Sequence, residues 1–191
     1  MAVRLIDAAA ATAMPWANGQ GITRELVRHE SSERRLLCRL SIADVIAPSR
    51  FSKLPGIDRH LILIEGLGFE LHIAARIVPV IPFVPVSFSG DESVSAARVA
   101  SPSRDFNVMV DRQVARADVS VQRGGFEHST PYLGYYYVVE GTFSTQSAEQ
   151  RLESGALVEV FREPFPTFRI SGSGVLIRVA ISLADAGKPV T

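Results

Sequence analysis

The chain has 191 residues, 47% of them hydrophobic and 21% charged, and its 20 basic and 20 acidic side chains leave no formal net charge. This length makes one large domain or two small fused ones with a buried core, which excludes global disorder. Charge neutrality argues against nucleic acid as a partner, and the single cysteine, Cys38, excludes an internal disulfide framework and a cysteine-rich zinc site.

Taken in chain order, the first signal is a short helix over residues 7–13, capped by Asp7 and stopped by Pro15. The alanine run inside it is too short and too close to Asp7 to read as a secretory leader. No stretch approaches the roughly 20 apolar residues of a membrane span. The expected location is therefore cytoplasmic, with no membrane partner. Residues 22–28 alternate loosely, and residues 36–44 alternate strictly. There Leu36, Cys38, Leu40 and Ile42 share one face, and Arg39, Ser41 and Ala43 the other. A half-buried strand has this period. Pro55-Gly56 suits the central positions of a type II turn, which launches a strand over 59–65. Residues 69–73 form the next strand, and the apolar run 77–86 is broken by Pro79, Pro82 and Pro85. Asp105-Phe106-Asn107 starts another. Residues 114–121 alternate again, and 135–140, 156–161 and 175–183 are dense in β-branched and aromatic residues on both faces. A last helical turn is expected at 183–186.

Many short strands punctuated by 14 glycines and 11 prolines predict an all-β sandwich or barrel. A faint repeat adds to this. Ile62-Leu63-Ile64-Glu65-Gly66 is echoed by Tyr137-Val138-Val139-Glu140-Gly141, each read as a hairpin turn at Glu-Gly and each followed by a strand, at 69–73 and 143–145. Ser89-Gly90-Asp91 and Ser154-Gly155-Ala156 then precede a further strand in each half.

Glu-Gly turns followed by Ser-Gly turns resemble the cupin β-barrel. Four further segments sharpen the likeness: Met14-Pro15-Trp16-Ala17-Asn18-Gly19-Gln20-Gly21-Ile22-Thr23-Arg24-Glu25, Arg39-Leu40-Ser41-Ile42-Ala43-Asp44-Val45, Phe51-Ser52-Lys53-Leu54-Pro55-Gly56-Ile57-Asp58-Arg59, and Asp105-Phe106-Asn107-Val108-Met109. In order, and over nearly the whole chain, they resemble the HutD/Ves family of double-cupin proteins. The resemblance implies a bicupin of two stacked antiparallel β-barrel or jelly-roll modules, near 1–110 and 111–191. They form one compact unit in which N-terminal strands are free to exchange. It also implies a small-molecule-binding protein with a regulatory role in histidine utilisation. The implied ligand is a small carboxylate, such as a histidine-pathway intermediate. A homodimer is compatible with this, and a metal-independent isomerase or hydrolase acting on the same carboxylate is the alternative. Two positions depart from the family pattern. Ala17 stands where a basic residue is usual, and Gln20 interrupts a run of three glycines.

A cupin metal site needs a His-x-His pair, but His29, His60, His72 and His128 are scattered, so no metal and no other cofactor is expected. Arg59 shares parity with Leu61 and Leu63, and an arginine on an apolar face must meet an anion or a carbonyl. That anion is either a bound carboxylate, which the guanidinium fork suits, or an internal partner, Asp44 or Asp58. Trp16 and Asn18 offer a stacking plate and an amide, or else a barrel plug and a turn brace. Of Thr23 and Arg24, alternation lets only one face a pocket. Ser41 is available to a ligand if its face lines the barrel. Asp44 needs a partner such as Arg59 or Arg24. Asn107 shares parity with Asp105, which reads as a turn cap. The candidate ligand-binding set is Arg59, Trp16, Asn18, Ser41, Arg24, Asp44, Asp58 and Asn107. Cys38 reads as core, and no nucleophile–base set stands out, so no catalytic residue is assigned.

Overall fold

Alternation becomes strand along most of the chain. The computed structural model describes residues 3–16, 19, 21–129, 133–146, 148–161 and 167–184. Their strands are β1 (Val3–Asp7), β2 (Ala13–Pro15), β3 (Gly21–Glu30), β4 (Leu36–Val45), β5 (Ser49–Arg50), β6 (Ile57–Glu65), β7 (Phe69–Ile73), β8 (Arg76–Val80), β9 (Val86–Ser89), β10 (Val94–Ala97), β11 (Ser103–Asp111), β12 (Ala115–Arg123), β13 (Phe126–Ser129), β14 (Leu133–Thr145), β15 (Ala148–Glu153), β16 (Ala156–Phe161) and β17 (Thr167–Leu183). The fold is nearly all-β, as the alternation predicts. The expected helix at 7–13 shrinks to one 3-10 turn, Ala8–Ala10, because Asp7 closes β1 and Ala13 opens β2. Leu183 ends β17, and most of the turn expected at 183–186 lies outside the described residues. Among the described residues, no helix is long and apolar enough to cross a membrane.

The chain divides into two compact units, residues 1–11 with 117–183, and residues 12–116 with 184–191. In the first, one antiparallel sheet runs in the order β1-β16-β14-β17-β12, with β13 added to β17 and β15 to β14. Tyr136, Val138, Phe143, Val158, Phe168 and Leu176 fill its core, and the Tyr136 and Phe168 rings stack at 4.8 Å. The fully buried Glu159 accepts hydrogen bonds from Arg4 Nε at 2.6 Å and the Tyr135 hydroxyl at 3.0 Å, so one carboxylate ties β1 and β14 to β16.

The second unit has two sheets, β2-β3-β4-β11-β6-β9 and β5-β10-β7-β8. Leu61, Leu63, Val86 and Phe88 from the first share a core with Phe69, Leu71, Ile73, Val80, Val94 and Ala96 from the second. Cys38 is fully buried and forms no disulfide.

Neither Glu-Gly pair makes a hairpin. After Glu65-Gly66 the chain changes sheets: β6 pairs with β11 and β9, whereas β7 pairs with β10 and β8. At Glu140-Gly141 the chain does not turn at all. Strand β14 continues through a bulge opposite β17, so residues 143–145 are its far end and not a separate strand. Gly141 has φ 87°, and a Cβ there would lie 2.1 Å from the Ser173 carbonyl oxygen. The glycine thus serves a close backbone approach inside a bent strand.

Candidate functional site

Strand register in the second unit assembles one inward-facing wall. Ser41 of β4 lies opposite Asn107 of β11, which lies opposite Leu61 of β6. One row away, Arg39 faces Met109, Met109 faces Arg59, and Arg59 faces Phe88 of β9. One row the other way, Thr23 of β3 faces Ala43, Ala43 faces Asp105, and Asp105 faces Leu63. Side chains alternate across a strand, so these residues share one face. Of these, Thr23, Arg39, Ser41, Ala43, Arg59, Asp105, Asn107 and Met109 line a cavity of about 520 Å³ together with Met14, Pro15, Trp16, Arg50, Phe51, Ser52 and Leu54, while Leu61, Leu63 and Phe88 lie in the core behind it.

Arg59 is the dominant charge of this wall. The Pro55-Gly56 turn places it: Gly56 has φ 80°, and the Ile57 amide donates to the Leu54 carbonyl at 3.1 Å, as a type II turn requires. Arg59 is 8% exposed. Its guanidinium carbon lies 5.1 Å from the Phe51 ring centre and 5.0 Å from that of Phe88. Its Nη1 donates to the Ser52 carbonyl at 3.2 Å, while Nε is buried with no partner among the described residues. Burial draws its pKa down to about 10, with Asp105 opposing the shift and Arg39 adding to it. Neither Asp44 nor Asp58 pairs with it. Asp44 is held by Arg24 at 2.6 Å and Arg104 at 2.8 Å, and Asp58 by Arg112 at 2.8 Å.

Asp105 is the other unusual group. It is 1% exposed; its Oδ1 accepts from Asn107 Nδ2, and its Oδ2 has no partner among the described residues. Burial pushes its carboxyl up to about 7, against the lowering influence of Asn107 and Arg59. The turn-cap reading of Asp105 is corrected, because it is the third residue of β11 and hydrogen-bonded strands flank it on both sides.

The other sequence candidates divide. Trp16 and Ser41 line the cavity with Arg59 and Asn107. Trp16 Nε1 donates to Thr23 Oγ1 at 2.8 Å, so Thr23, and not Arg24, turns inward. Arg24, Asp44 and Asp58 do not line it. Arg24, Asp44, Arg104 and Glu65 form an ion network beside a separate hollow of about 400 Å³. Burial alone would raise the Asp44 carboxyl, but hydrogen bonds from Arg104 and Arg24 hold it below its ordinary value. Asp58 and Asp91 share Arg112, and Asp91 Oδ1 accepts the Gly56 amide at 3.0 Å, which braces the turn before Arg59. Asn18 lies outside the described residues, as do Ala17 and Gln20. Sequence reasoning missed Phe51, Arg39 and Asp105. Arg39 was signalled by its parity with Ser41. It is paired with Glu25 at 2.5 Å and reaches Met109 Sδ at 3.9 Å.

Among the described residues, no three or more His, Cys, Asp or Glu side chains are grouped to hold a metal ion. The cavity's oxygen donors, Asp105, Asn107 and Ser41, share the lining with three guanidinium groups, those of Arg39, Arg50 and Arg59. Such a set does not fit the imidazole-rich metal of cupin enzymes. It fits an anion.

Comparison with known proteins agrees with this architecture. The HutD family model matches residues 8–177. HutD from Pseudomonas fluorescens SBW25, solved in a formate condition, superposes with a TM-score of 0.86 at 25% identity, covering 96% of this chain and 100% of that one. A conserved protein of unknown function from Pseudomonas aeruginosa PAO1 gives 0.84 at 24% identity, covering 95% and 99%. A Cupin 2 conserved barrel domain protein from Leptotrichia buccalis gives 0.58 at 7% identity, covering 96% and 98%, a likeness of fold alone.

Proposed function

The chain belongs to the HutD family, and from that premise we propose that it binds a small carboxylate metabolite and regulates histidine utilisation. One observation carries the reading: a buried arginine faces a cavity with an unused Nε–H. A desolvated cation of this kind calls for an anion, and the planar guanidinium matches a carboxylate in two parallel hydrogen bonds. The cavity, at about 520 Å³, falls in the range of small-molecule sites. The apolar bodies of Trp16, Phe51 and Met109 suit the carbon skeleton of such a ligand.

A second reading has one observation in its favour. Asp105, held near neutrality in the same cavity, has the poise of a general acid or base, which a metal-independent isomerase or hydrolase would need. Among the described lining residues no nucleophile is paired with a base, so binding without turnover is the better-supported function.

The test is a panel of formate, acetate, benzoate and imidazole-4-acetate, each set against its neutral amide. A site of this kind gains about 2.7 kcal/mol of stability at a ligand concentration of 100 Kd. Carboxylates should raise the melting temperature and amides should leave it unmoved, with the bound acid recovered unchanged. Equal shifts for acid and amide, or no shift at all, would sink the carboxylate reading. Conversion of the acid would favour the enzyme.

A further inference from the structure

We infer that Asp105 is a second binding residue of this site: it balances Arg59 in the free protein, yields that role to the ligand's carboxylate, and takes up a proton as it does so. The inference rests on the carboxylate reading above and adds the group that answers the ligand's charge.

Two polar atoms in the cavity wall are buried without partners among the described residues, Arg59 Nε and Asp105 Oδ2. They belong to neighbouring strands, β6 and β11, on the same inward face. The two groups feel each other's charge, yet no hydrogen bond joins them. A closed salt bridge would have used both atoms. The arrangement is instead an open pair, a donor and an acceptor both buried in the wall of one cavity and both without a partner among the described residues.

The other charges around Asp105 are already engaged or lie at a remove. Arg39 of β4 is held by Glu25 of β3. Asp44, also on β4, lies on the opposite face of the sheet, is bound by Arg24 and Arg104, and adds a weak repulsion. Arg50 of β5 is an exposed cation of the lining. Asn107 on its own strand is neutral and donates to Oδ1. Among the described lining residues, Asp105 is the sole carboxyl, and there is no histidine.

A carboxylate that pairs with Arg59 cancels the cation that favours ionised Asp105 and adds a like charge beside it. Two carboxylates in one desolvated site do not both stay ionised. Burial has already brought Asp105 close to neutrality, so the added charge is enough to protonate it at neutral pH. One proton passes from solvent to Oδ2, no covalent bond to the ligand forms, and the new O–H becomes a donor to the bound anion. The site therefore selects an anion that accepts a hydrogen bond from a neutral acid.

The experiment is isothermal titration of the tightest-binding acid of the panel, from pH 5.5 to 8.5, in buffers of different ionisation enthalpy. Above about pH 7, close to one proton should be taken up per ligand, and affinity should fall about tenfold per pH unit. Below about pH 6 both effects should fade. Asp105→Asn keeps the shape without the charge, so it should bind with flat affinity near the acid limit of the wild type and take up no proton. Should that variant not fold, carbon-13 detection of the wild-type Asp105 carboxyl replaces it, and its titration midpoint should rise on ligand addition. Flat wild-type affinity, an unmoved midpoint, or the same slope in Asp105→Asn overturns the inference and leaves carboxylate binding standing. No binding by any acid at any pH overturns both.

Discussion

Replacing Arg59 by lysine separates charge from geometry at this site. The guanidinium lies over two rings, 5.1 Å from Phe51 and 5.0 Å from Phe88, and spends one Nη1 hydrogen bond on Ser52. An ammonium is a compact, strongly hydrated charge that presents no fork to a carboxylate. A hydrogen bond to a charged group contributes roughly 1.5–3 kcal/mol, so Arg59→Lys should weaken benzoate or acetate binding by about 10- to 150-fold at pH 7. Burial adds a second effect. The same burial that draws Arg59 down to about 10 acts on an amine that starts lower, so the lysine loses its charge at a lower pH than the guanidinium does. The variant's residual affinity should therefore fall further at alkaline pH, where the wild-type guanidinium is still charged. Arg59→Ala should abolish binding. It also removes two cation–π contacts worth roughly 0.5–2 kcal/mol each, which lowers the melting temperature by several degrees. Calorimetric affinity and melting temperature, measured on the same three proteins, decide the matter. Arg59→Lys binding within twofold of wild type, with the fold intact, would refute the assignment.

Two further predictions concern stability. The Asp105 carboxyl lies near 7 in the folded chain and at an ordinary 3.8 when exposed, so the folded state holds more proton between those values. Its contribution is full below about pH 4 and is lost as pH rises through 7, a span of up to about 4 kcal/mol. Asp105→Asn should therefore gain on wild type from pH 4 to 8, and parallel denaturation curves would show that the carboxyl is not held near neutrality. Gly56→Ala meets only open space at φ 80° and should cost about 1 kcal/mol in urea unfolding, whereas Gly141→Ala also drives a Cβ to 2.1 Å from a carbonyl oxygen and should cost several times more. Equal costs would mean that backbone conformation alone sets both.

Much of the frame is legible in local pattern. Strict alternation at 36–44 marks β4, the segment 156–161 coincides with β16, and Pro55-Gly56 makes the turn it spells. These features depend on a few consecutive residues. What is illegible depends on pairing between distant segments. Glu140-Gly141 reads as a hairpin because glycine permits positive φ, but the same φ serves a bulge when a second strand runs alongside, and nothing near residue 141 announces β17. Asp44 has the parity of a buried acid seeking a partner, and of its two cations only Arg24 is suggested by sequence. Arg104 arrives from β11 across the sheet.

The site shows the same division. Parity puts Arg59 with Leu61 and Leu63, and puts Ser41 with Arg39, but it cannot say that these two faces are one wall. That follows only when β11 lies between β4 and β6. The middle strand is buried on both faces, so its own pattern gives no sense of inside and outside. An aspartate at its start then looks like punctuation. Once Asp105 stands between Ala43 and Leu63, water can no longer solvate it, and its surroundings decide its protonation. Arg59 comes to the same wall from a strand 46 positions earlier, where a turn of two residues sets its direction. Neither residue is an anion site alone: a buried guanidinium without an acid nearby would hold its ligand against all competition, and a buried acid without the guanidinium would repel it. Held on adjacent strands but left unbonded, they are the pair on which the proposed reading rests: a carboxylate accepted at low pH and released as pH rises.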